Sequence, residues 1–166
     1  MTITDEPTAV DPTSHDPLGD PRTLLVATFR LAGLRFGIDA GDVREALQGQ
    51  PLTVVPHAPA EISGLMNLRG EVVVALDLRT RLHLPMSAEP DSSRPPLMNL
   101  VVTVGSEPVS LLVDEIDDVI AFDAGDIERV PDTVDPHLTS FLAGVHQQPD
   151  GLLLILDLAR VVDTIR

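Results

Sequence analysis

The chain has 166 residues, 43% of them hydrophobic, which is enough apolar material for the core of one domain of ordinary size or of two very small ones. Its 26 acidic and 11 basic residues give a formal net charge of −15, which repels phosphate backbones and anionic lipid headgroups and so argues against nucleic-acid and membrane-surface partners. The absence of cysteine excludes disulfides, thiolate metal sites and a thiol nucleophile.

Neither a membrane span nor a secretion signal is visible in the sequence. The longest apolar runs, such as residues 72–76 and 152–156, are far shorter than the roughly 20 residues that a spanning helix needs. The N-terminus has no basic stretch followed by an apolar core and a small-residue cleavage site. We therefore expect no membrane insertion and a cytoplasmic location.

The first 23 residues differ in composition from the rest of the chain. They carry prolines at positions 7, 12, 17 and 21 among Asp, Thr and Ser. Large apolar side chains are too few there to offset the entropy lost when a backbone is ordered. This composition predicts a disordered acidic tail over residues 1–23 and a folded domain over residues 24–166.

From Leu24 onward, short apolar or alternating runs of strand length are separated by Gly, Pro and Asp. Helical patterns are few and brief, and the two best ones, 77–82 and 157–165, each begin with an Asp in the N-cap position after a strand. Many short strands at close spacing predict an all-β fold of the barrel or sandwich type. The predicted strands are 24–31, 34–38, 72–76, 100–104, 109–113 and 152–156.

An internal repeat is the most informative feature of the sequence. Residues 35–43 align with residues 108–116, an offset of 73, and apolar positions fall on apolar positions. Residues 72–78 align with residues 152–158, an offset of 80. The larger second offset implies about seven extra residues in the second half, between Ile120 and Gly144.

Each repeat unit of about 70 residues would bury little surface by itself. Two related barrels that pack together are therefore expected, rather than two independent domains. The repeat places barrel one mainly in residues 24–90 and barrel two mainly in residues 95–166.

The equivalent residues Asp77 and Asp157 invite comparison with an aspartic protease, in which each of two lobes donates one carboxylate. That chemistry usually needs Asp followed by Thr or Ser and then Gly, whereas the chain has Asp77-Leu78-Arg79 and Asp157-Leu158-Ala159. Helix capping is the favoured interpretation of both carboxylates.

Other chemistry-bearing residues form no recognisable site. The acidic run 114–118 lacks the alternating ligands and the central Gly of a calcium loop. The five histidines show no His-Glu-x-x-His spacing, and no Gly-x-Ser-x-Gly elbow or glycine-rich phosphate loop is present. We therefore expect no metal, no cofactor and no enzymatic activity.

Several ordered motifs resemble the CheW-type chemotaxis coupling proteins. Residues 29–46 and 55–59 are similar to the start of that family's domain, and 62–79 contain Asn67-Leu68-Arg69-Gly70 before a strand that ends in Asp77-Leu78-Arg79, which looks like the family hallmark. Residues 111–116, Leu-Leu-Val-Asp-Glu-Ile, are similar to a second-half signature of the family. The resemblance covers residues 24–166.

The resemblance implies a fold of two SH3-like five-stranded barrels with a hydrophobic interface, in agreement with the repeat. It also implies a non-enzymatic adaptor that couples the cytoplasmic tips of methyl-accepting chemoreceptors to the regulatory domain of a CheA-type histidine kinase. The alternative is a regulatory binding module of the same fold in a pathway other than chemotaxis, such as a pilus or developmental pathway.

Arg69 has two interpretations from residue chemistry alone. Its guanidinium could satisfy carbonyl groups at the strand entry before Gly70, or it could bind a partner, since the planar fork of Arg is favoured in interfaces. Val43, Ile116 and Val119 are also ambiguous, because apolar residues at such spacing are more often core than contact surface. The resemblance implies a receptor-binding set of Val43, Glu45, Asn67, Arg69, Ile116 and Val119, and a kinase-binding pair of Pro131 and Val134.

Overall fold

The computed structural model describes residues 22–85 and 96–163, and these residues form ten strands and three short α-helices. The predicted tail, residues 1–23, lies outside the described residues except for its last two, and Thr23 already belongs to the first strand. The strands are β1 Thr23–Leu31, β2 Leu34–Asp39, β3 Val43–Gln48, β4 Ile62–Leu68, β5 Glu71–Asp77, β6 Met98–Val104, β7 Glu107–Val113, β8 Glu115–Asp123, β9 Leu142–Gln148 and β10 Gly151–Leu156. The helices are α1 Leu78–Arg81, α2 Pro136–Thr139 and α3 Leu158–Val161.

The strands join into two five-stranded sheets, which confirms the predicted all-β architecture. One sheet has the order β8-β1-β2-β10-β9, and the other has the order β3-β6-β7-β5-β4. Each sheet closes into a barrel where the segment that follows one outer strand pairs with the other outer strand. An isolated bridge joins Glu128, just after β8, to Val145 in β9, and another joins Thr53, after β3, to Leu65 in β4. We call the first closed sheet barrel A and the second barrel B.

The repeat predicted from the sequence is visible in the strand order. If β6 to β10 are matched with β1 to β5, both barrels have the same order of repeat positions, namely third, first, second, fifth and fourth. The halves are interleaved, however, because β10 pairs in parallel with β2 and β5 pairs in parallel with β7. Each barrel thus combines the first two strands of one half with the last three strands of the other half. The sheets therefore do not follow the division into residues 24–90 and 95–166.

The hydrophobic core has three parts that follow the alternation of side chains along each strand. Along β10, Leu154 and Leu156 join the largest cluster, which contains residues of both sheets and of the helices, while Leu153 and Ile155 join a small cluster inside barrel A. A third cluster lies inside barrel B and includes Met66 and Val101. The largest cluster therefore holds the two barrels together, as expected from repeat units too small to fold alone.

The short helices begin as the sequence predicted. The carboxylate of Asp77 accepts a hydrogen bond from the Arg79 backbone N–H over 3.1 Å, and the carboxylate of Asp157 accepts one from the Arg160 backbone N–H over 3.4 Å. Asp77 is the N-cap of α1 and Asp157 is the N-cap of α3, which confirms helix capping as their role.

Candidate functional site

The hallmark Asn67-Leu68-Arg69-Gly70 forms the tight turn between β4 and β5. Leu68 pairs directly with Glu71, so Arg69 and Gly70 are the two central residues of a two-residue hairpin loop. Both have positive φ angles, 53° and 87°, as a type I′ turn requires. The Asn67 side-chain oxygen accepts a hydrogen bond from the Gly70 N–H over 2.9 Å. The turn places the Arg69 side chain in solvent, where 74% of it is exposed.

Two ion pairs connect this turn to β3, which lies at the opposite end of the strand order. Both terminal nitrogens of Arg69 donate to the carboxylate of Glu45, and the Nη2 to Oε1 distance is 2.9 Å. Arg44, the residue before Glu45, donates from Nη1 to Glu71 Oε1 over 3.1 Å. Because each pair bridges β3 and the β4–β5 hairpin, they reinforce the closure of barrel B from outside. We call the Arg69–Glu45 pair the clasp.

The predicted receptor-binding residues occupy both barrels. Glu45, Asn67 and Arg69 are gathered at the β4–β5 turn of barrel B, whereas Ile116 and Val119 lie on β8 of barrel A. Val43 and Ile116 are repeat equivalents, and both pack partly buried against the largest core cluster. Val119 is 57% exposed, which is unusual for valine within a strand and is compatible with a contact surface.

Two other motifs of the family resemblance, Asp77-Leu78-Arg79 and the second-half signature 111–116, are joined by an ion pair. Arg79, from the strand end Asp77-Leu78-Arg79, donates from Nη2 to Asp114 Oδ2 over 2.6 Å. The same oxygen accepts the Ala32 backbone N–H over 2.9 Å, in the turn between β1 and β2. Asp114 belongs to the second-half signature, so one carboxylate joins both motifs to the β1–β2 turn.

The predicted kinase-binding residues lie on the segment between β8 and α2. Pro131 O accepts a hydrogen bond from the Val134 N–H over 3.1 Å, which forms a tight turn. Val134 packs against the largest core cluster and also lines a cavity of about 620 Å³. Both residues line a neighbouring cavity of about 510 Å³. The structure thus brings Pro131 and Val134 together, apart in sequence and in fold from the clasp.

Among the described residues, the surroundings of Arg30 and Asp42 shift the pKa of their side chains. The hydrogen bond from Arg30 to Asp117, together with the attraction of that carboxylate, raises the pKa of the Arg30 guanidinium. Partial burial, followed by the nearby charge of Asp39, raises the pKa of the Asp42 carboxyl. Neither group belongs to a catalytic arrangement of nucleophile, base and oxyanion donors.

The part of the chain that the structure describes contains no group of three or more His, Asp or Glu side chains able to hold a metal ion. In residues 22–85 and 96–163, no helix is both long enough and apolar enough to cross a lipid bilayer.

The contacts that sequence reasoning missed include Arg44 with Glu71, Arg79 with Asp114, and a buried pair, Asn99 with Ser110. The first two join residues 27 and 35 positions apart, so no local pattern announces them. The third had a signal, because Ser110 stands where the repeat has Gly37 and the hydroxyl of a buried serine needs a partner.

Comparisons with known proteins agree with this geometry. The profile of the CheW-like domain matches residues 25–166. A protein of Rhizobium meliloti named chemotaxis protein CheW is 33% identical over 133 residues, which are 80% of this chain and 83% of that protein. The protein of the same name from Bacillus subtilis is 31% identical over 135 residues, covering 81% of this chain and 84% of the relative.

A solved structure shows the same fold. It is the crystal structure of the scaffolding protein TtCheW from Thermoanaerobacter tengcongensis, with a TM-score of 0.70 and 27% sequence identity over 81% of this chain and 88% of that one. The closed paired sheets, the hallmark turn and these matches lead to one conclusion. The chain belongs to the CheW-like family of chemotaxis adaptor proteins.

Proposed function

We propose that this CheW-like chain couples the cytoplasmic tips of chemoreceptors to the regulatory domain of a CheA-type histidine kinase. In this role it works in the cytoplasm, binds no cofactor and catalyses no reaction. The observation that carries the proposal is the presentation of Arg69 by a rigid turn on the outside of barrel B.

The Arg69 turn suits recognition for two reasons. A type I′ hairpin holds the backbone in one conformation, so little entropy is lost when a partner binds. The guanidinium is planar and has five N–H donors, of which the clasp uses two, so others remain directed toward solvent. Arginine is among the residues that most often dominate binding energy at interfaces.

An apolar component accompanies this charged one. Val119 is exposed on β8, and Val43 and Ile116 lie partly buried at the edge of the core shared by the barrels. A receptor tip is an antiparallel helical hairpin in the family, and an amphipathic helix binds by placing its apolar face against such residues. We assign Val43, Glu45, Asn67, Arg69, Ile116 and Val119 to this contact.

The kinase contact is assigned to Pro131 and Val134. Their turn lies between β8 and α2 and borders two cavities lined by both apolar and charged side chains, which offer space for side chains of a partner. Proline at the turn limits the loss of backbone freedom on binding. Separate surfaces for receptor and kinase are what an adaptor needs to bind both partners together.

The test is titration of wild type and Arg69→Ala against two probes, a receptor signalling-tip fragment and a kinase regulatory domain. Truncation of an interface Arg commonly costs about 1 to 3 kcal/mol, so the tip affinity should fall roughly 5- to 150-fold. Affinity for the kinase domain should stay within about 2-fold of wild type, a difference near the limit for an ordinary surface change. Because the Arg69 side chain is mostly exposed, stability should change by no more than about 0.5 kcal/mol.

Asp150→Ala is the matched control, because Asp150 occupies the equivalent hairpin between β9 and β10 and only approaches Arg35 at 3.9 Å. It should leave the tip affinity unchanged. Equal tip affinity of wild type and Arg69→Ala would refute the recognition role. So would unfolding of the Arg69 variant, which would make Arg69 a structural residue.

A further inference from the structure

A buried polar pair lies inside barrel B. Asn99, on β6, is 1% exposed, and Ser110, on β7, is fully buried. Asn99 Nδ2 donates to Ser110 Oγ over 2.9 Å and lies 3.5 Å from Met66 Sδ. Asn99 Oδ1 accepts the backbone N–H of Gln50 over 3.0 Å. One amide group therefore contacts β7, β4 and Gln50, which lies just beyond the end of β3.

These contacts act on the same two elements as the clasp. Gln50 comes two residues after the end of β3, the strand that carries Glu45. Met66, on β4, precedes the turn residues Asn67 and Arg69. Asn99 ties the two elements from inside the barrel, and the clasp ties them from outside. The relative position of Glu45 and Arg69 therefore depends on both connections.

Barrel A shows that this polar pair is not required to close a barrel of this kind. The residues 73 positions earlier are Val26 and Gly37, which carry no side-chain hydrogen-bonding groups, and barrel A closes through the bridge of Glu128 with Val145. Barrel B uses a pair with a directed hydrogen bond at the same two places. Buried polar groups give a packed interior a unique arrangement when all of them are satisfied.

We infer that Asn99 is a positioning residue, which fixes β3 against β4 through Gln50 and so holds the clasp in the geometry that the receptor tip recognises. Asn99 itself touches no partner, since its side chain is enclosed by the barrel. The inference rests on the proposed function, because it names the residue that prepares the receptor-binding surface.

The test compares two variants of the full chain. Asn99→Val with Ser110→Gly copies the pair of barrel A and removes the acceptor of the Gln50 N–H. Ser110→Ala removes the hydrogen bond within the pair but leaves Asn99 Oδ1 on Gln50. Asn99→Val keeps a side chain of similar size, and Ser110→Gly gives the new valine the room that Gly37 gives Val26 in barrel A, while Ser110→Ala keeps the Cβ. Gln50 is half-buried, so water can reach its freed N–H.

The first measurement is amide hydrogen exchange of Gln50. Exchange should be about 10-fold faster in the double variant and close to wild type in Ser110→Ala, because only the double variant lacks the acceptor. The second measurement is affinity for the receptor signalling-tip fragment, which should fall roughly 2- to 10-fold in the double variant, as for the loss of one net hydrogen bond. Affinity for the kinase regulatory domain should stay at the wild-type value in both variants.

Unchanged Gln50 exchange, unchanged tip affinity, or equal losses toward both probes in the double variant would each overturn the positioning role. If the double variant does not fold, Asn99→Ala with Ser110→Ala provides the comparison, because it removes the same acceptor without placing a branched side chain against the Cβ of residue 110. Wild type that binds neither probe would refute the proposed function, whereas wild-type binding with an unaffected variant would refute only the role of Asn99.

Discussion

The β4–β5 hairpin of barrel B and the β9–β10 hairpin of barrel A occupy equivalent places in the repeat, but their turns differ in sequence and backbone conformation. In barrel B, Arg69 and Gly70 adopt left-handed conformations, and Asn67 accepts the Gly70 N–H. In barrel A, Pro149 and Asp150 connect Gln148 to Gly151, and Gly151 has the positive φ angle instead, 138°. A proline sets its own φ angle and needs no side-chain acceptor. The same topology thus gives a turn that presents a guanidinium in barrel B and a turn that presents the carboxylate of Asp150, 67% exposed, in barrel A.

The barrel interiors differ in a similar way. Gly37 faces inward in barrel A, where an added Cβ would lie 2.5 Å from Val26 Cγ1. Ser110 at the equivalent place in barrel B has a Cβ. Its hydroxyl accepts a hydrogen bond from Asn99, which occupies the position of Val26 in the repeat. In barrel A the glycine leaves room for the valine, and in barrel B the serine accepts a hydrogen bond from the asparagine. A change in one member of a pair alone should therefore destabilise its barrel. The two halves of the repeat thus have the same strand order, whereas the side-chain pairs at equivalent positions differ in both members.

Separation of the two halves should have the largest effect on this comparison. We expect residues 24–90 and residues 95–166, expressed separately, to remain unfolded, because each barrel takes strands from both halves. Amide NMR spectra of the fragments should show narrow dispersion, and mixing or co-expressing the fragments should restore part of the dispersion. A well-dispersed spectrum of either fragment alone would contradict the interleaved arrangement.

A methyl group added at Gly37 should produce the next largest effect. Gly37→Ala should destabilise the protein by about 1 to 3 kcal/mol, as other overpacked cores do, because the valine that it meets has little freedom to move. Urea unfolding measures the change. Gly125→Ala is the reference, because a Cβ added there would meet only Asp123 Oδ1, at 3.3 Å, and its cost should stay under about 1 kcal/mol.

Gly37→Ala should cost less stability in a Val26→Ala background than in wild type, since Val26→Ala removes the methyl group that collides. An equal cost in both backgrounds would show that it comes from the backbone rather than from crowding inside barrel A.

The smallest expected effect concerns pH and the turn Ala40–Asp42 that leads into β3. Because the folded state raises the pKa of Asp42, its contribution to stability is present below the ordinary carboxyl pKa and is lost as the pH rises through the raised value. Asp42→Asn should therefore be slightly more stable than wild type at neutral pH, by under about 0.5 kcal/mol, and should lose that advantage in acid.

Urea midpoints measured between pH 3 and 7 would test this, with Asp126→Asn as the reference, since Asp126 ends an identical Asp-Ala-Gly-Asp turn after β8. A stability difference that does not vary with pH would refute the assignment to Asp42.

Parts of the candidate site could be predicted from the sequence, and others could not. Arg69 was singled out because it lies in Asn67-Leu68-Arg69-Gly70, which resembles the family hallmark, just before an apolar strand. Its pairing with Glu45, 24 positions away, depends on barrel closure, which brings β3 beside the β4–β5 hairpin. The structure places Val119 outside the core, whereas Val43 and Ile116 pack partly buried against it, and their assignment to the receptor contact stays a prediction.

Strands with a nearly continuous apolar run were predicted from the sequence, and strands with an interrupted run were not. The runs in β5, β6, β7 and β10 are nearly continuous in apolar residues because one face meets the shared core and the other face meets a barrel interior. The strands β3, β4, β8 and β9 were missed, since charged, polar or glycine residues interrupt their apolar patterns.

The amino-acid sequence by itself determined the strand-rich class and the Asp caps of the short helices, because these depend on neighbours within a few residues, and it showed the duplication through its repeated pattern. The tertiary structure alone decided which half completes which barrel. The repeated strands β2 and β7 offer similar edges, so local sequence does not tell β5 or β10 which edge to join. That choice depends on burial of the large core between the barrels, which forms only when strands far apart in the chain come together.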